Sequence, residues 1–236
     1  NDQVTDTPTD NFCVVDVLQP TGSTYANGNL EVAGATNAIE KGTQGVSSGK
    51  WAWECTLTGG SAVNFFVGIT GPTMPIGNGG TQTGFTDGIM LENDDQHLWV
   101  DGADQGSWAS ATFTTSDVMR MELNMDDGEL EFFKNDSSIG KYTSVSTSKA
   151  YRPCASWATG SNCTFDFGHS GSLTHTPTAG FELLSTANLT ALTFDPADHH
   201  GEEIMVHNGT TGSITLPSEA GVDDDYLVIV KDIDNI

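Results

Sequence analysis

The chain has 236 residues, with 8 Lys and Arg against 32 Asp and Glu, which gives a formal net charge of −24. This length allows one large domain, with or without a small second one, and it can bury a core without disulfide or metal cross-links. So acidic a surface repels nucleic-acid phosphates and anionic membranes, so we expect no nucleic-acid partner. The longest strongly apolar run, 226–230, is far shorter than the roughly 20 residues of a membrane-spanning helix, so we expect no membrane insertion.

The first third of the chain reads as short strands joined by polar loops. Residues 1–10 are polar and form an arm, and short strands are predicted at 12–18, 29–33, 50–58 and 65–70. Trp51 and Trp53 lie on one face of the third strand, where core packing is expected of at least one of them. The loop at 71–88 is long and rich in Gly, Pro and Thr, and loops of this length usually serve binding or assembly.

Two short strands, 89–91 and 98–100, are bordered by acidic turns at 93–95 and 101–104. The best candidate ligand-binding set comes from this region: Trp99, Trp108, Asp94, Asp95 and Asp101. Sugars stack on aromatic rings while carboxylates accept their hydroxyl groups, so this set is the candidate for glycan binding. The favoured interpretation of the two tryptophans is nevertheless that one lies in the core and the other on the surface.

The clearest local pattern is the hairpin at 117–140, DVMRMELNMDDGELEFFKNDSSIG. Met119, Met121 and Leu123 alternate with polar residues, which is typical of a half-buried strand. The Asp127-Gly128 pair suits a tight turn, because Gly tolerates a positive φ. The chain then returns as a second alternating strand with Leu130 on the apolar face. A further polar turn at 135–138 ends the hairpin.

This hairpin resembles the late hairpin of the SPRY (B30.2-like) domain. The blocks SGKWAWE (48–54), FVGI (66–69), YRPCAS (151–156) and FDFG (165–168) are similar to other SPRY strands, in the family's order, over roughly 29–189. One departure is Asn124, where the family often has Asp. The resemblance implies an all-β fold, a two-sheet antiparallel sandwich of the concanavalin-like jelly-roll type. It also implies a binding or scaffolding module rather than an enzyme.

The two ends of the chain resemble parts of tailed-phage virion proteins. The leader TPTDNFC (7–13) with YANGNLEV (25–32) is similar to segments that precede SPRY domains in such proteins. Strands are predicted at 203–207, 213–217 and 226–231, in a pattern like a small phage-fibre module that usually trimerises. Three strands bury little alone, so a homotrimer or a missing continuation is expected. A start at Asn1 and an end in mid-pattern at Ile236 indicate a piece of a longer or processed chain.

These patterns predict three parts: an N-terminal arm with the first strand (1–28), a SPRY-like sandwich (29–190) and a small C-terminal β module for assembly (191–236). The predicted function is a non-catalytic virion component, a tail fibre, head fibre or capsid decoration at the particle surface. Its partners would be a host glycan or neighbouring virion proteins. The alternatives are a cellular SPRY adaptor that captures a peptide, and a glycan-active enzyme.

Four cysteines are too few for a disulfide scaffold, but one pair is a candidate. Cys154 and Cys163 lie on predicted strands on either side of the turn at 159–160 with matching parity, so a cross-strand disulfide is possible. Cys13 and Cys55 are predicted to be buried thiols.

No cofactor is expected, although Ca²⁺ could bind oxygen ligands in the acidic turns at 93–95, 101–104 and 223–225. His199, His200 and His207 lack the spacing of known zinc motifs and read as a solvated turn.

Two motifs resemble catalytic ones without the context that catalysis needs. Residues 45–49 match G-x-S-x-G, but a nucleophile elbow requires a strand before it and a helix after it. Glu129 and Glu131 are spaced like the paired carboxylates of β-sandwich glycosidases, yet they read as the solvated face of the hairpin.

Overall fold

The computed structural model describes residues 11–18, 21–60, 64–74, 84–158, 160–188, 191–193 and 213–215. The regular elements in these ranges are β-strands. The strands are β1 (Thr24–Ala26), β2 (Glu31–Ala33), β3 (Ala38–Lys41), β4 (Lys50–Gly60), β5 (Phe65–Thr70), β6 (Gly88–Glu92), β7 (His97–Val100), β8 (Ala103–Ser107), β9 (Val118–Asn124), β10 (Glu129–Lys134), β11 (Ser137–Tyr142), β12 (Arg152–Trp157), β13 (Ser161–Asp166), β14 (Glu182–Leu183), β15 (Ala191–Thr193) and β16 (Ser213–Thr215).

Two facing sheets form the sandwich that the sequence predicts. The eight-stranded sheet has the order β1-β2-β13-β4-β9-β10-β11, with β14 added in parallel to β4. The six-stranded sheet has the order β3-β12-β5-β6-β7-β8, and all of its pairs are antiparallel. The all-β, two-sheet prediction is therefore confirmed.

The core lies between the sheets and is filled by alternate side chains of the long strands. Trp53 of β4 lies opposite Met121 of β9, and Phe132 of β10 lies on the other side of Met121; all three are fully buried. Gly128 has a φ of 70° in the turn that joins β9 to β10, as the predicted hairpin requires. Because inward residues recur at every second position, the sequence identifies this layer directly.

Several short strands differ from the sequence prediction. The predicted strand at 12–18 makes only isolated bridges, at Phe12 and Val15. The strands β1, β3 and β8 occur where the sequence predicts loops or gives no signal. Each has only three to five residues, too few for a period-two pattern to stand out from its surroundings.

The outer face of the six-stranded sheet carries a second, smaller apolar cluster. Its buried members are Ile39, Phe66, Met74, Phe85, Met90 and Cys154, and Trp99 packs against it. Met74 and Phe85 come from the two described ends of the long loop predicted at 71–88, and the rings of Phe85 and Phe66 meet edge to face at 4.8 Å. The two described ends of this loop therefore pack on the outer face of the six-stranded sheet.

The outer face of the eight-stranded sheet is covered by a segment that we call the strap, residues 170–181. Backbone N–H groups of Thr174 and His175 each donate to Glu54 at 2.9 Å, and the N–H of Thr178 donates to Glu122 at 2.8 Å. Arg120 lies between these carboxylates, with its Nε 3.1 Å from Glu122 Oε1. The polar positions of β9 are thus buried, where the sequence predicts a half-buried strand with one solvated face.

The possible disulfide between Cys154 and Cys163 is not formed. All four cysteines are free and buried, which agrees with the prediction for Cys13 and Cys55. Cys154 lies in the six-stranded sheet and Cys163 in the eight-stranded one, because the consecutive strands β12 and β13 belong to different sheets and do not form a hairpin. Burial raises the pKa of Cys154 to about 12, so this thiol stays protonated and unreactive.

Little of the C-terminal segment falls in the described ranges. The predicted strand at 213–217 is confirmed at Ser213–Thr215, which pairs in parallel with Ala191–Thr193. The predicted strands at 203–207 and 226–231, the histidines at 199, 200 and 207, and the acidic turn at 223–225 lie outside the described residues. Within the residues that are described, no helix is long and apolar enough to span a membrane.

Candidate binding site

The candidate site is the corner where β6 turns into β7. Glu92 ends β6, and Asp94 and Asp95 follow in the turn. One carboxylate oxygen from each of the three lies within 4.8 Å of the others. Glu92 is buried, whereas Asp94 and Asp95 are exposed. The corner thus presents two solvent-facing carboxylates above a third that the sheet holds in place.

Trp99 of β7 forms the apolar side of this corner. Its indole N–H donates to Glu92 Oε2 at 2.8 Å, and the ring packs against the apolar cluster on the outer face of its sheet. Asp104 of β8 lies directly opposite Trp99 in the ladder, and its Oδ2 is 3.0 Å from Nδ1 of His97. A half-buried aromatic ring with carboxylates on either side offers both stacking and hydrogen-bond acceptors to a ligand.

Asn93 explains why the turn has this shape. Its Oδ1 accepts the N–H of Phe65 at 2.9 Å, and its Nδ2 donates to the carbonyl of Phe113 at 3.4 Å. The Asn93 side chain is buried. It therefore cannot serve as a ligand for Ca²⁺, although the sequence places it in the candidate calcium turn at 93–95. Anchoring Asn93 inward leaves the next two residues, Asp94 and Asp95, directed to solvent.

Asp101 has a structural role in the turn between β7 and β8. It has a φ of 49°, and its Oδ1 accepts the N–H of Gly88 at 3.0 Å. Its own N–H donates to the carbonyl of Gly88 at 2.8 Å. The Asp101 side chain therefore fastens this turn to the start of β6, the strand that pairs with β7. Its carboxylate accepts a backbone hydrogen bond there.

Trp108 does not join Trp99. It packs at the edge of the main core, where its ring meets Phe132 at 5.9 Å in a T-shaped contact. A Cβ added at Gly140 would lie 2.5 Å from the Trp108 ring, so this glycine makes room for it. Trp99 packs on the outer face of the six-stranded sheet, so the two tryptophans lie on opposite sides of that sheet. The structure brings together Trp99, Asp94 and Asp95 of the predicted set.

Glu92 is the residue that sequence reasoning missed. It follows a run of apolar residues and is itself 1% exposed, so composition alone gives no sign of a site residue. The signal that could have found it is the two-residue period of a strand, which puts Glu92 on the same face of β6 as Met90. Met90 lies opposite Trp99 in the ladder, so Glu92 and Trp99 also share that face. An oxygen cluster of Glu92, Asp94 and Asp95 is of the type that Ca²⁺ prefers, and a calcium ion there stays a prediction.

The two enzyme-like motifs lie in ordinary structural positions. Lys141 of β11 contacts both Glu129 and Glu131, at 3.1 Å each, so the paired carboxylates are part of a partly exposed ion-pair network. The G-x-S-x-G stretch at 45–49 leads directly into strand β4, with no helix after it. A nucleophile elbow needs that helix, so the stretch lacks the required context.

A comparison with known families decides the assignment of this sandwich. The SPRY domain model matches residues 50–170, about half of the chain. The chain belongs to the SPRY domain family. SPRY domains are in general protein-interaction modules without catalytic activity. This assignment agrees with the strand blocks at 48–54, 66–69, 151–156 and 165–168, of which the first lies partly before the matched residues.

Solved structures with TM-scores above 0.5 give the same fold at low sequence identity. The TRIM65 PSpry domain matches with a TM-score of 0.54 and 12% identity, over 66% of this chain and 92% of that one. Stonustoxin matches with a TM-score of 0.53 and 12% identity, over 66% of this chain and 27% of its own. The SPRY domain of human HERC1 has a TM-score of 0.49 and 17% identity, over 68% and 96%. No curated protein matches the chain by sequence.

Proposed function

We propose that this SPRY domain is a non-catalytic adhesion and scaffolding module at the surface of a virion. The observation that supports binding is the corner of Trp99, Glu92, Asp94 and Asp95, in which a fixed aromatic ring adjoins exposed carboxylates. A host glycan would stack on Trp99 while its hydroxyl groups donate to the carboxylates. A neighbouring virion protein would use the same ring as an apolar anchor.

The virion setting rests on sequence resemblance at the two ends of the chain. The leader at 7–13 and the C-terminal pattern at 203–231 are similar to segments of tailed-phage proteins. The C-terminal segment would then assemble the chain into a homotrimer and present three copies of the corner. Three linked copies raise the apparent affinity for a repetitive surface without any new contact.

The test is binding of the full chain to an array of bacterial-surface oligosaccharides, with Trp99→Ala and the double variant D94N/D95N beside it. Loss of one central aromatic contact is expected to weaken binding about tenfold or more. Glu129→Gln, on the other sheet, is the control and should bind as the wild type does. Adding EDTA shows whether Ca²⁺ at the acidic corner takes part.

The competing reading is a cellular SPRY adaptor that captures a peptide. Screening the same variants against a displayed library of extended peptides separates the two. Peptide binding that depends on Trp99, without any glycan binding, would favour the adaptor. Sedimentation of the full chain tests the trimer, and a monomer at micromolar concentration would contradict the assembly role of the C-terminal segment. Polysaccharide turnover that disappears in E129Q/E131Q would contradict a non-catalytic module.

A further inference from the structure

A buried acid joins the two sheets at one open edge of the sandwich. Glu40 lies on β3, the edge strand of the six-stranded sheet, and its side chain is fully buried. Tyr25 lies on β1, the edge strand of the eight-stranded sheet, and its hydroxyl donates to Glu40 Oε2 at 2.9 Å. The Thr21 hydroxyl is 2.9 Å from the Tyr25 hydroxyl. This short chain of hydroxyl groups spans the gap between the sheets.

The second oxygen of Glu40 is poorly satisfied. Its Oε1 is buried and makes no hydrogen bond of good geometry. Burial raises the pKa of Glu40, and the hydroxyl groups of Ser23, Tyr25 and Thr21 offset this only in part. The Asp16 carboxylate raises the pKa of Glu40 further. An ionised carboxylate without a cationic partner is costly in such a place, whereas a neutral carboxyl group is tolerated.

The charged groups around this edge are engaged elsewhere. Arg152 of β12 has its Nη1 3.8 Å from Asp16 Oδ2. Lys41 follows Glu40 on β3, so its side chain points to the opposite face, where Nζ donates to the carbonyl of Met74 at 2.8 Å. The nearby thiols of Cys154 and Cys163 have raised pKa values and stay neutral. Among the described residues, therefore, the cations near this edge contact other groups.

We propose that Glu40 is a proton-linked latch, which in its neutral form fastens the β1–β2 hairpin to the edge of the six-stranded sheet. When Glu40 ionises, the buried charge is relieved by opening of the hairpin and entry of water. The folded-state pKa is raised, so the latch contributes its full stability below the ordinary value of about 4.3. That contribution is lost as the pH rises through the folded-state pKa of Glu40.

The latch matters because the N-terminal segment passes over the same edge. The N–H of Asp16 donates to the carbonyl of Lys41, and the N–H of Thr43 donates to the carbonyl of Val14, both at 2.8 Å. The segment 11–18 thus contacts the six-stranded sheet next to Glu40, and β1, which comes later in the chain, belongs to the other sheet. Opening of the hairpin would loosen the point at which the arm joins the sandwich, and so the orientation of whatever the arm attaches to.

The test is amide hydrogen exchange of the full chain between pH 4 and 8, corrected for intrinsic rates and read at Thr24 and Ala33, which pair across the hairpin. Between the two pKa values, the opening constant of the hairpin should rise about tenfold per pH unit. In Glu40→Gln, which keeps the shape and stays neutral, the opening constant should not change with pH. Glu31→Gln removes an exposed charge from the same hairpin and should behave as the wild type does.

Two results would overturn the latch. One is a pH dependence in Glu40→Gln equal to that of the wild type. The other is a Glu40 side-chain carboxyl that titrates, by carbon-13 NMR of the wild type, at or below about 4.3. The second measurement needs no variant, so it decides the question even if Glu40→Gln fails to fold.

Discussion

The two outer faces of the sandwich are both covered, but by opposite means. On the eight-stranded sheet, Glu54, Arg120 and Glu122 form a buried charged row, and the carboxylates accept backbone N–H groups of the strap. On the six-stranded sheet, Ile39, Phe66, Met90 and their neighbours form an apolar cluster beneath the ends of the 71–88 loop. One face is held by charge-assisted hydrogen bonds and the other by removal of apolar surface from water.

The difference follows from what each covering segment can supply. The strap is rich in Gly, Ser and Thr, and most of its residues are exposed, so it brings backbone donors and little apolar surface. Hydrogen-bond acceptors on the sheet therefore hold the strap, because a buried N–H without a partner costs free energy. The loop ends contribute the apolar side chains of Met74 and Phe85, which pack on an apolar sheet face. In both cases the exposed chemistry of the sheet face matches the groups of the segment that covers it.

The largest expected effect is on the charged face. Arg120→Ala removes the cation between Glu122 and Asp136, and also its stacking over the Phe133 ring at 4.2 Å. Breaking a buried ion pair by removing one partner costs about 3–5 kcal/mol, because the remaining charge is left buried. Urea unfolding should show this loss. Arg120→Met, which fills the space without the charge, is the matched comparison. A loss below about 1 kcal/mol for Arg120→Ala would mean that the strap is not held by this row.

A smaller effect is expected where the loop end over the apolar face is fastened. Asp87 is buried, accepts the N–H and the hydroxyl of Thr73 at 2.7 and 2.8 Å, and pairs with Lys149. Burial alone would raise the pKa of Asp87, but these partners outweigh it and hold the pKa below its ordinary value. Asp87→Asn should therefore cost about 1.5–3 kcal/mol at pH 7.

The pH dependence of this effect has a definite sign. Because the folded-state pKa of Asp87 is lowered, its contribution is complete above the ordinary value near 3.9 and is lost as the pH falls through the folded-state pKa. The difference in unfolding free energy between the wild type and Asp87→Asn, measured in urea, should thus shrink once the pH falls below about 3.9. A difference that stays constant as the pH is lowered further would show that the ion pair is not what fastens the loop.

The same comparison explains what the sequence could and could not predict. In the hairpin of β9 and β10 the inward residues Met119, Met121, Leu123, Leu130 and Phe132 follow a period of two, and the sequence predicts this inner face. The burial of Arg120 and Glu122 is not predictable from that alternation, because their cover comes from the strap, more than fifty residues further along the chain. Polar residues on a strand read as solvated unless a distant segment is known to lie over them.

The candidate site shows the same limit. Trp99, Asp94 and Asp95 are close in sequence on one turn, and the structure keeps them together. Trp108 comes nine residues after Trp99, yet it lies on the other side of the sheet because the chain leaves β8 to pack against Phe132. The disulfide considered between Cys154 and Cys163 is absent for the same reason. The alternation of residues along the chain cannot show which turn closes a hairpin and which connection passes between sheets.

The smallest effect is expected at the β10–β11 edge of the eight-stranded sheet, outside the part that the strap covers. Lys141 contacts Glu129 and Glu131 at 3.1 Å each, and its side chain is 43% exposed. Water and salt screen such pairs, so Lys141→Ala should cost only about 0.2–1 kcal/mol, and less in 1 M NaCl. Urea unfolding at low and high salt measures this. Arg120→Ala, which breaks the ion pair with Glu122 beneath the strap, should lower the free energy of unfolding by more, and this loss should depend little on salt. Equal salt sensitivity at the two places would mean that water reaches the charged row, and that the strap covers it only loosely.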